Sequence, residues 1–269
     1  MINLYKTIKK RGYKMKDGRY GIFLDIDGTL LGASEDVLKK NISVIQKVRA
    51  LGHKVFICTG RSTAYLPKMI DYERSFDGVI TGAGARIVLE GEVVFCSHVD
   101  YDSVMRFCNF SSDKPNISFL EGTKQMFFFG NDGKERENCT QLTLENVEKY
   151  VDDSIEIEKF AIFGIAASGL ADVMGDDFVV LQHRGYAEVI QKNCSKSKAM
   201  FFVLERLGIP KENSVAMGDS MNDFDMVEKA GIGVAMENAV SELKTISDIT
   251  TTSVDDAGVA TALQKIFNL

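Results

Sequence analysis

Asp25 and Asp27 stand one residue apart directly after a short apolar run. The run, residues 22–24, is continuous rather than alternating, and this predicts a strand that is buried on both faces. Ligands of parallel sheets bind at the carboxyl ends of the strands, so both carboxylates are expected at such a rim, on the same side of the extended chain. Close like charges repel each other unless a basic residue or a hard cation such as Mg²⁺ offsets them. The alternative is that residues 27–29 form a surface turn and Asp25 caps a helix.

Thr59 and Gly60 follow a second apolar run, residues 54–58. Between the two runs, apolar residues recur at the spacing of a helix. A strand, a helix and a strand in succession predict a parallel βαβ unit, which places Thr59 at the rim beside Asp25. There its hydroxyl group and the Gly60 amide could bind a phosphate oxygen. Arg61 could bind phosphate or form a surface salt bridge, and the residues alone leave both interpretations open.

The last third of the chain holds two further polar groups at predicted element ends. Lys196 lies in the first turn of a predicted helix, where the helix dipole disfavours a cation. A residue that breaks a local rule is a candidate for function, and the alternative is a solvated lysine. Asp219, Asn222 and Asp223 follow an apolar run at residues 214–217, so a second group of acids is predicted at a strand end.

Together these segments resemble the haloacid dehalogenase superfamily, whose members are mostly Mg²⁺-dependent phosphatases. Residues 25–30, Asp-Ile-Asp-Gly-Thr-Leu, are similar to its first motif, and residues 59–61, Thr-Gly-Arg, to its second. Lys196 stands at the third motif, and residues 218–223 match the fourth, Gly-Asp-x-x-Asn-Asp. The motifs occur in the right order and cover the core at both ends of the chain. The sequence is therefore identified as a member of this superfamily, in its Cof-like branch.

Two positions depart from the Cof-like pattern. Relatives carry Ser-Lys-Gly at the third motif, and this chain has Ser197 in place of the glycine. Relatives often carry Met-Gly-Asn-Ala where this chain has residues 236–239, and here Glu237 replaces the glycine. The third motif is assigned to Lys196 by alignment, with Lys198 as the alternative. Glu237 brings an extra acid near the rim, and how its loop meets the site is left open.

The resemblance implies a two-step phosphoryl transfer. Asp25 would attack phosphorus and become an aspartyl phosphate, while Asp27 would protonate the leaving alkoxide and later deprotonate the hydrolytic water. Oxygen ligands without clusters of His or Cys favour Mg²⁺ over zinc. The expected metal ligands are the Asp25 carboxylate, the Asp27 main-chain carbonyl and Asp219. Asp223 is expected either to bind the metal ion directly or to contact one of its ligands. The residues expected to hold the phosphoryl oxygens are Thr59, Gly60, Lys196 and Asn222.

The chain divides into a core and an insert. Residues 20–85 and 193–269 carry the units of an α/β core. Residues 86–192 hold short strands and a few helices, which predicts an α+β module whose mostly antiparallel sheet has one face covered by helices. The resemblance implies a Rossmann-like parallel-sheet core and a C2B-type cap that roofs the site and excludes water. Residues 1–19 form a basic extension, interpreted as a solvated segment or a helix at the edge of the core.

Two stretches of the insert allow two interpretations each. Residues 183–186 form a polar turn that either reaches the substrate or, preferably, is an ordinary hairpin turn. Residues 127–129, three consecutive phenylalanines, are interpreted as core packing rather than as part of a ligand site.

Composition excludes several classes of partner. A net charge of −6 and a pI of about 5.3 over 269 residues offer no basic surface for nucleic acid. No apolar run approaches the ~18 residues of a membrane helix, so no membrane partner is expected. Five cysteines, an odd number without metal-ligand spacing, indicate a reducing compartment, and we expect a cytoplasmic location. We also expect a monomer or a homodimer.

The sequence thus predicts a Mg²⁺-dependent phosphatase of small phosphorylated metabolites, sugar phosphates above all. A phosphomutase of sugar phosphates is the alternative within enzymes. A non-catalytic protein that binds a phospholigand on the same fold is the alternative outside them, because fold does not determine function. The intact pair of Asp25 and Asp27 argues against a pure binding protein.

Overall fold

The computed structural model describes residues 17–112, 117–130, 133–134, 136, 138–151, 155–164, 169–183 and 185–269. In chain order the strands are β1 (Gly21–Leu24), β2 (Lys54–Cys58), β3 (Gly78–Thr81), β4 (Arg86–Leu89), β5 (Glu92–Cys96), β6 (Ile117–Gly122), β7 (Met126–Phe129), β8 (Cys139–Gln141), β9 (Ile157–Phe163), β10 (Phe178–Gln182), β11 (Tyr186–Gln191), β12 (Ser214–Gly218), β13 (Ile232–Ala235) and β14 (Ile249–Thr250). The helices are α1 (Glu35–Ala50), α2 (Tyr72–Ser75), α3 (Tyr101–Ser112), α4 (Val147–Tyr150), α5 (Leu170–Met174), α6 (Lys196–Arg206), α7 (Phe224–Lys229), α8 (Ser241–Ile246) and α9 (Gly258–Phe267).

Eight of the strands in the described ranges form one sheet, in the order β14-β13-β12-β1-β2-β3-β4-β5. The central strand β1 is fully buried and pairs in parallel with β12 on one side and β2 on the other. Gly21 is in register with both Lys54 and Ser214, so these three strands end at the same edge. The predicted α/β fold with a parallel-sheet core is confirmed. Its central strands are the ones that precede the predicted site residues.

The hairpin of β4 and β5 corrects the predicted boundary of the insert. Both strands lie within residues 86–192, yet β4 pairs antiparallel with β3 and β5 pairs with β4, which extends the core sheet. The chain reverses directly after β3 through Gly82 and Gly84, whose φ angles of 56° and 104° are accessible mainly to glycine. A tight reversal of this kind returns the chain along the strand it has just left. By strand pairing, the inserted unit therefore begins after Cys96.

The inserted unit contains a second sheet. Within the described residues it has six strands in the order β10-β11-β9-β6-β7-β8, antiparallel throughout except for the pair β7 and β8. Helices α3 and α5 pack against each other and against strands of this sheet. The unit has its own hydrophobic core, in which Phe107 of α3 stacks on Phe160 of β9 with ring centroids 4.3 Å apart. Phe127 and Phe129 belong to the same core, in agreement with the packing interpretation.

Strand β9 presents its two faces to different surroundings. Phe160 and Ile162 lie in the hydrophobic core of the inserted unit. Lys159, Ala161 and Phe163, which alternate with them, line a cavity that faces the core sheet. The two-residue period of a strand thus divides β9 between a structural face and a face towards the site.

Some predicted features fall wholly or partly outside the described residues. These are residues 1–16 of the basic extension and Arg184 of the polar turn. In the part of the chain that the structure describes, no helix combines the length and the apolar character needed to cross a membrane.

Candidate active site

The end of β1 places the first two acids at the floor of a cavity. Asp25 is buried, and its amide donates to the carbonyl of Met217 at the end of β12 (3.1 Å). Asp27 is more open, with 55% of its side chain exposed. Both residues line the same cavity, as their spacing predicts.

Arg61 forms an ion pair with Asp27. Its Nε and Nη2 atoms donate to the two carboxylate oxygens, each at 2.6 Å. A third nitrogen, Nη1, donates to the carbonyl of Tyr65 at 3.0 Å, and the guanidinium group lies 4.6 Å from the centre of the Tyr65 ring. Of the two interpretations of Arg61, the structure shows the salt bridge, and it places that salt bridge on a candidate catalytic group.

Lys196 lies at the centre of the site. Its side chain is only 1% exposed, and Nζ lies 2.7 Å from Asp25 Oδ1, 2.6 Å from Asp223 Oδ1 and 3.2 Å from Asn222 Oδ1. Burial alone would favour the neutral amine, but the carboxylates of Asp223 and Asp25 outweigh it and raise the pKa of Lys196. The cation that the helix dipole disfavours in the first turn of α6 therefore balances two buried acids.

Lys198 lies elsewhere. It is exposed, and its Nζ donates to the carbonyl of Lys192 at 3.0 Å. The structure brings Lys196, and not Lys198, to the acids of the first and fourth motifs.

The three acids Asp25, Asp219 and Asp223 form a cluster in which one carboxylate oxygen of each lies within 4.8 Å of the others. Asp223 is oriented by the amides of Asp219 and Ser220, which both donate to its Oδ2 at 3.1 Å. Asp219 Oδ1 is buried without a hydrogen-bond partner among the described residues. Burial and the charge of Asp223 raise the pKa of Asp219 to about 6. An unpartnered carboxylate oxygen among buried acids fits a hard cation that prefers oxygen ligands, such as Mg²⁺.

Gly28 allows the first and fourth motifs to meet. Its φ is +74°, and a Cβ atom at this position would lie 2.3 Å from Asp219 Oδ2. Any side chain would therefore displace Asp219 from the cluster. This explains on steric grounds why a glycine follows the two aspartates.

Three of the four candidate phosphate-binding residues, Thr59, Gly60 and Asn222, line the same cavity. Thr59 is buried at the end of β2, and its Oγ1 accepts from the amide of Arg61 at 3.1 Å. Gly60 faces Asn222, whose amide nitrogen would lie 3.4 Å from a Cβ atom at position 60. The fourth candidate, Lys196, does not line the cavity but contacts Asp25 Oδ1 through its Nζ at 2.7 Å.

The cavity has a volume of about 480 Å³ and lies between the core and the inserted unit. The inserted unit contributes the following residues, of which only Tyr186 lies in a stretch that the sequence analysis had considered for the site: Glu121, Lys159, Ala161, Phe163, Tyr186 and Glu188. One signal was visible in the sequence, because Glu158 and Lys159 are charged residues within the otherwise apolar β9. The direction in which the Lys159 side chain points was not visible there.

The charged residues of the inserted unit form a network above the acids. Lys159 forms ion pairs with Glu188 and, at 3.6 Å, with Glu121. His183 Nε2 lies 3.1 Å from Glu188 Oε2. Burial acts to raise the pKa of Glu188, but the hydrogen bond to His183 and the charge of Lys159 lower it to about 2. Glu188 is therefore an anion at neutral pH, held beside a buried ammonium group.

Strands β10 and β11 pair antiparallel, and the amide of His183 donates to the carbonyl of Tyr186 at 2.9 Å. The described ends of the polar stretch therefore meet as they do in a hairpin, in agreement with the interpretation preferred from the sequence. Tyr186 nevertheless lines the cavity, so the end of this turn also belongs to the site.

The two departures from the family pattern have structural accounts. Ser197 is buried, and its hydroxyl donates to Asp225 at 2.6 Å. Glu237 is exposed and does not line the cavity. The neighbouring Asn238 donates from Nδ2 to the carbonyl of Gly28 at 2.8 Å, so this loop meets the site through its asparagine.

Comparison with known proteins gives concordant results. A family model described as haloacid dehalogenase-like hydrolase matches residues 22–263. YkrA of Bacillus subtilis, which is named as a phosphatase without a stated substrate, is 29% identical over 251 residues, covering 91% of this chain and 96% of its own. YitU of the same organism, named as a 5-amino-6-(5-phospho-D-ribitylamino)uracil phosphatase, is 27% identical and covers 95% of this chain and 100% of its own. A solved structure of a subclass IIB sugar phosphatase superposes with a TM-score of 0.76 at 23% identity, covering 93% of this chain and 99% of its own.

Proposed function

The chain belongs to the haloacid dehalogenase-like hydrolase family, as an enzyme that hydrolyses phosphoric monoesters, and we propose that it is a Mg²⁺-dependent phosphatase of small phosphorylated metabolites, including sugar phosphates. One observation carries the proposal. Asp25 and Asp219, far apart in the sequence, line one cavity together with residues of the inserted unit, and the buried Lys196 contacts both Asp25 and Asp223 of the fourth motif.

In the first step, a carboxylate oxygen of Asp25 forms a bond to phosphorus while the bond from phosphorus to the ester oxygen breaks. The leaving alkoxide takes a proton from Asp27 and departs as an alcohol. In the second step, a water oxygen forms a bond to phosphorus and gives a proton to Asp27, while the bond from phosphorus to the Asp25 oxygen breaks. Inorganic phosphate is released, and Asp25 is again a free carboxylate. Lys196 and the donors of Thr59, Gly60 and Asn222 would hold the phosphoryl oxygens.

Arg61 sets a condition on this cycle. In the structure it donates to both oxygens of Asp27, and such a bidentate pair is strongest with a carboxylate anion. When Asp27 carries the proton for the leaving group, the charge of the pair is lost and the two hydrogen bonds from Arg61 weaken. Arg61 is then available to a phosphate or hydroxyl oxygen of the substrate.

The residues present fit a bound Mg²⁺. The Asp25 carboxylate, the Asp27 main-chain carbonyl and Asp219 would hold it, with Asp223 beside them. When bound, the cation offsets the negative charge of the transferring phosphoryl group. The unpartnered oxygen of Asp219 is the observation that supports this assignment.

The named relatives indicate the range of substrates to test. One acts on a phosphorylated ribityl chain that carries a uracil ring, and one solved structure is a sugar phosphatase. We therefore propose a phosphorylated polyol or sugar as the common part of the substrate. The cysteines are all free, which supports the proposal of a reducing compartment such as the cytoplasm.

The test is release of inorganic phosphate from a panel of sugar, polyol and nucleotide monophosphates, with Mg²⁺ and with a chelator. Asp25→Asn removes the nucleophile and is expected to lower kcat by about a thousandfold or more. Lys198→Met is the control, because this exposed lysine lies outside the site, and it is expected to retain turnover. Full Mg²⁺-dependent turnover by Asp25→Asn would refute the assignment.

A further inference from the structure

A cluster of three side chains lies outside the candidate active site, where the core sheet meets the inserted unit. Cys96 is the last residue of β5, His98 lies in the connection that follows it, and Glu156 stands directly before β9. None of the three lines the catalytic cavity. One sulfur, nitrogen or oxygen atom of each lies within 4.8 Å of the other two. A thiol, an imidazole and a carboxylate thus meet at one point.

The separations within this cluster resemble those around a shared metal ion. Cys96 Sγ lies 3.7 Å from His98 Nδ1 and 3.8 Å from Glu156 Oε2, and Nδ1 lies 3.9 Å from Glu156 Oε1. A tetrahedral zinc ion, with bonds of about 2.3 Å to sulfur and about 2.0–2.2 Å to nitrogen and oxygen, keeps its ligand atoms about 3.3–3.7 Å apart. The distance from Nδ1 to the carboxylate is, by contrast, too long for a direct hydrogen bond.

The types of ligand atom select the metal. Mg²⁺ prefers oxygen ligands, so a sulfur and an imidazole nitrogen argue against it. Zn²⁺ binds all three kinds of atom, and three protein ligands leave a fourth position for water. The side chain of His98 is 57% exposed, so an ion can reach the cluster from solvent.

Arg86 already brings a positive charge to the cluster. It is in register with Cys96 on the neighbouring strand, and its Nη1 lies 2.5 Å from Glu156 Oε2 and 3.7 Å from Cys96 Sγ. Its Nε is buried and has no hydrogen-bond partner among the described residues, so this position leaves one of its donors unused. A divalent ion would compete with the guanidinium group for the same sulfur and carboxylate.

We propose that Cys96, His98 and Glu156 form a site for one Zn²⁺ ion at the junction of the core and the inserted unit. On binding, the Cys96 thiol loses its proton to solvent and the sulfur forms a bond to the metal. Nδ1 of His98 and a carboxylate oxygen of Glu156 complete the protein ligands, and the Arg86 guanidinium group moves away. The ion then links the end of β5 to the start of β9, and so restrains the inserted unit relative to the core sheet.

Cobalt is the probe for this site. A thiolate bound to Co²⁺ gives a charge-transfer absorption band in the near ultraviolet, and the acids of the active site offer no sulfur. The wild-type protein is titrated with Co²⁺ in excess Mg²⁺, which competes for the oxygen ligands of the active site. We expect the band to saturate at one Co²⁺ per chain and to disappear when Zn²⁺ is added, because thiolate ligands favour Zn²⁺.

Variants of the ligands assign the band to the cluster. Removal of a group that only orients a ligand costs about 10- to 100-fold in affinity, so loss of a direct ligand is expected to cost about a hundredfold or more. Cys96→Ser should therefore remove the band, and His98→Ala should weaken Zn²⁺ binding to that extent. Cys139→Ser is the matched control, because Cys139 is also partly buried and lies outside the cluster. Absence of the band in the wild-type protein, or its retention in Cys96→Ser, would overturn the proposal.

Arg86→Met tests the competition between the guanidinium group and the ion. The variant is expected to bind Zn²⁺ about tenfold more tightly, because it lacks a positive charge beside two of the ligands. A lower affinity in a folded Arg86→Met protein would contradict the proposal. None of these measurements needs turnover, so the zinc site can fail while the phosphatase function holds, and the reverse.

Hydrogen exchange tests the link between the two units. Zn²⁺ is expected to slow exchange at residues 97–100 and 155–157 in the wild-type protein and to leave it unchanged in Cys96→Ser. Equal slowing in both proteins would show that the ion binds elsewhere.

Discussion

At the scale of single residues, the site depends on how one buried cation is balanced. Lys196 contacts Asp25 and Asp223, and all three side chains are almost completely inaccessible to water. A buried ion pair is not by itself strongly stabilising, because desolvation offsets much of the attraction. Removal of one member is different, since it leaves the remaining charges buried without a partner.

Lys196→Met is therefore expected to lower the free energy of unfolding by about 3–5 kcal/mol at neutral pH without Mg²⁺. Urea denaturation at pH 7.5 measures this loss. Lys198→Met is the matched control, since Lys198 is exposed. Equal stability of the two variants at pH 7.5 would show that Lys196 does not balance the acids.

At the scale of elements, strand β9 attaches the inserted unit to the core through one carboxylate. Glu158 is buried, and it accepts hydrogen bonds from the Thr63 amide at 3.1 Å and from the Thr63 hydroxyl at 2.5 Å. Thr63 Oγ1 in turn lies 3.0 Å from Thr81 Oγ1 at the end of β3. Burial raises the pKa of Glu158 to about 7, and the hydrogen bonds from Thr63 only partly oppose it.

A pH dependence of stability follows from this shift. The ordinary pKa of the group is 4.5, and the value in the folded protein is higher, so protons bind more tightly to the folded state. The contribution of Glu158 is complete below about pH 4.5 and is lost as the pH rises through about 7. The shift corresponds to about 3 kcal/mol at most.

Glu158→Gln removes this titration while it keeps the shape of the side chain. Between pH 4.5 and pH 7.5, the free energy of unfolding of the wild-type protein is expected to fall by up to about 3 kcal/mol more than that of the variant. Guanidinium unfolding across this range measures the difference. Glu145→Gln, at an exposed position of the same unit, is the control and should follow the wild type. Parallel pH profiles for wild type and Glu158→Gln would contradict the assignment.

At the scale of the whole molecule, the site lies between two units that each have a hydrophobic core. All the candidate Mg²⁺ ligands come from strand ends of the core sheet, whereas the walls that face the leaving group come from β6, β9 and β11. Chemistry and substrate choice are thus divided between the two units. A cation at the acids has direct contacts with only one of them.

Mg²⁺ is accordingly expected to stabilise the core sheet more than the inserted unit. A cation at a hundredfold excess over its Kd adds about 2.7 kcal/mol to the state that binds it. Hydrogen exchange measured by mass spectrometry should show slower exchange in β1 and β12 with Mg²⁺, and a smaller change in β6 and β9. Asp219→Asn should abolish the difference. An equal effect on both units, or none, would contradict a metal site confined to the core.

Local sequence patterns were sufficient to predict the parallel strands of the core sheet and the polar residues at the carboxyl ends of those strands. Continuous apolar runs that end in Asp25, Thr59 and Asp219 predicted parallel strands with polar groups at one edge, and β1, β2 and β12 have that arrangement. The prediction succeeded because parallel pairing of neighbouring strands brings their carboxyl ends together whatever the rest of the chain does. The catalytic and metal-binding roles given to these residues stay predictions.

Two features depended on long-range packing: which residues line the substrate side of the site, and where along the chain the insert begins. The sequence predicted β4 and β5 as part of the insert, and the pairing of β4 with β3 and of β5 with β4 was not visible in their residues. Lys159 and Phe163 face the cavity because the opposite face of β9 is covered by α3, and a strand pattern does not tell which face will be covered. The residues therefore determined which groups can do the chemistry, and the packing of the two units determined what those groups face.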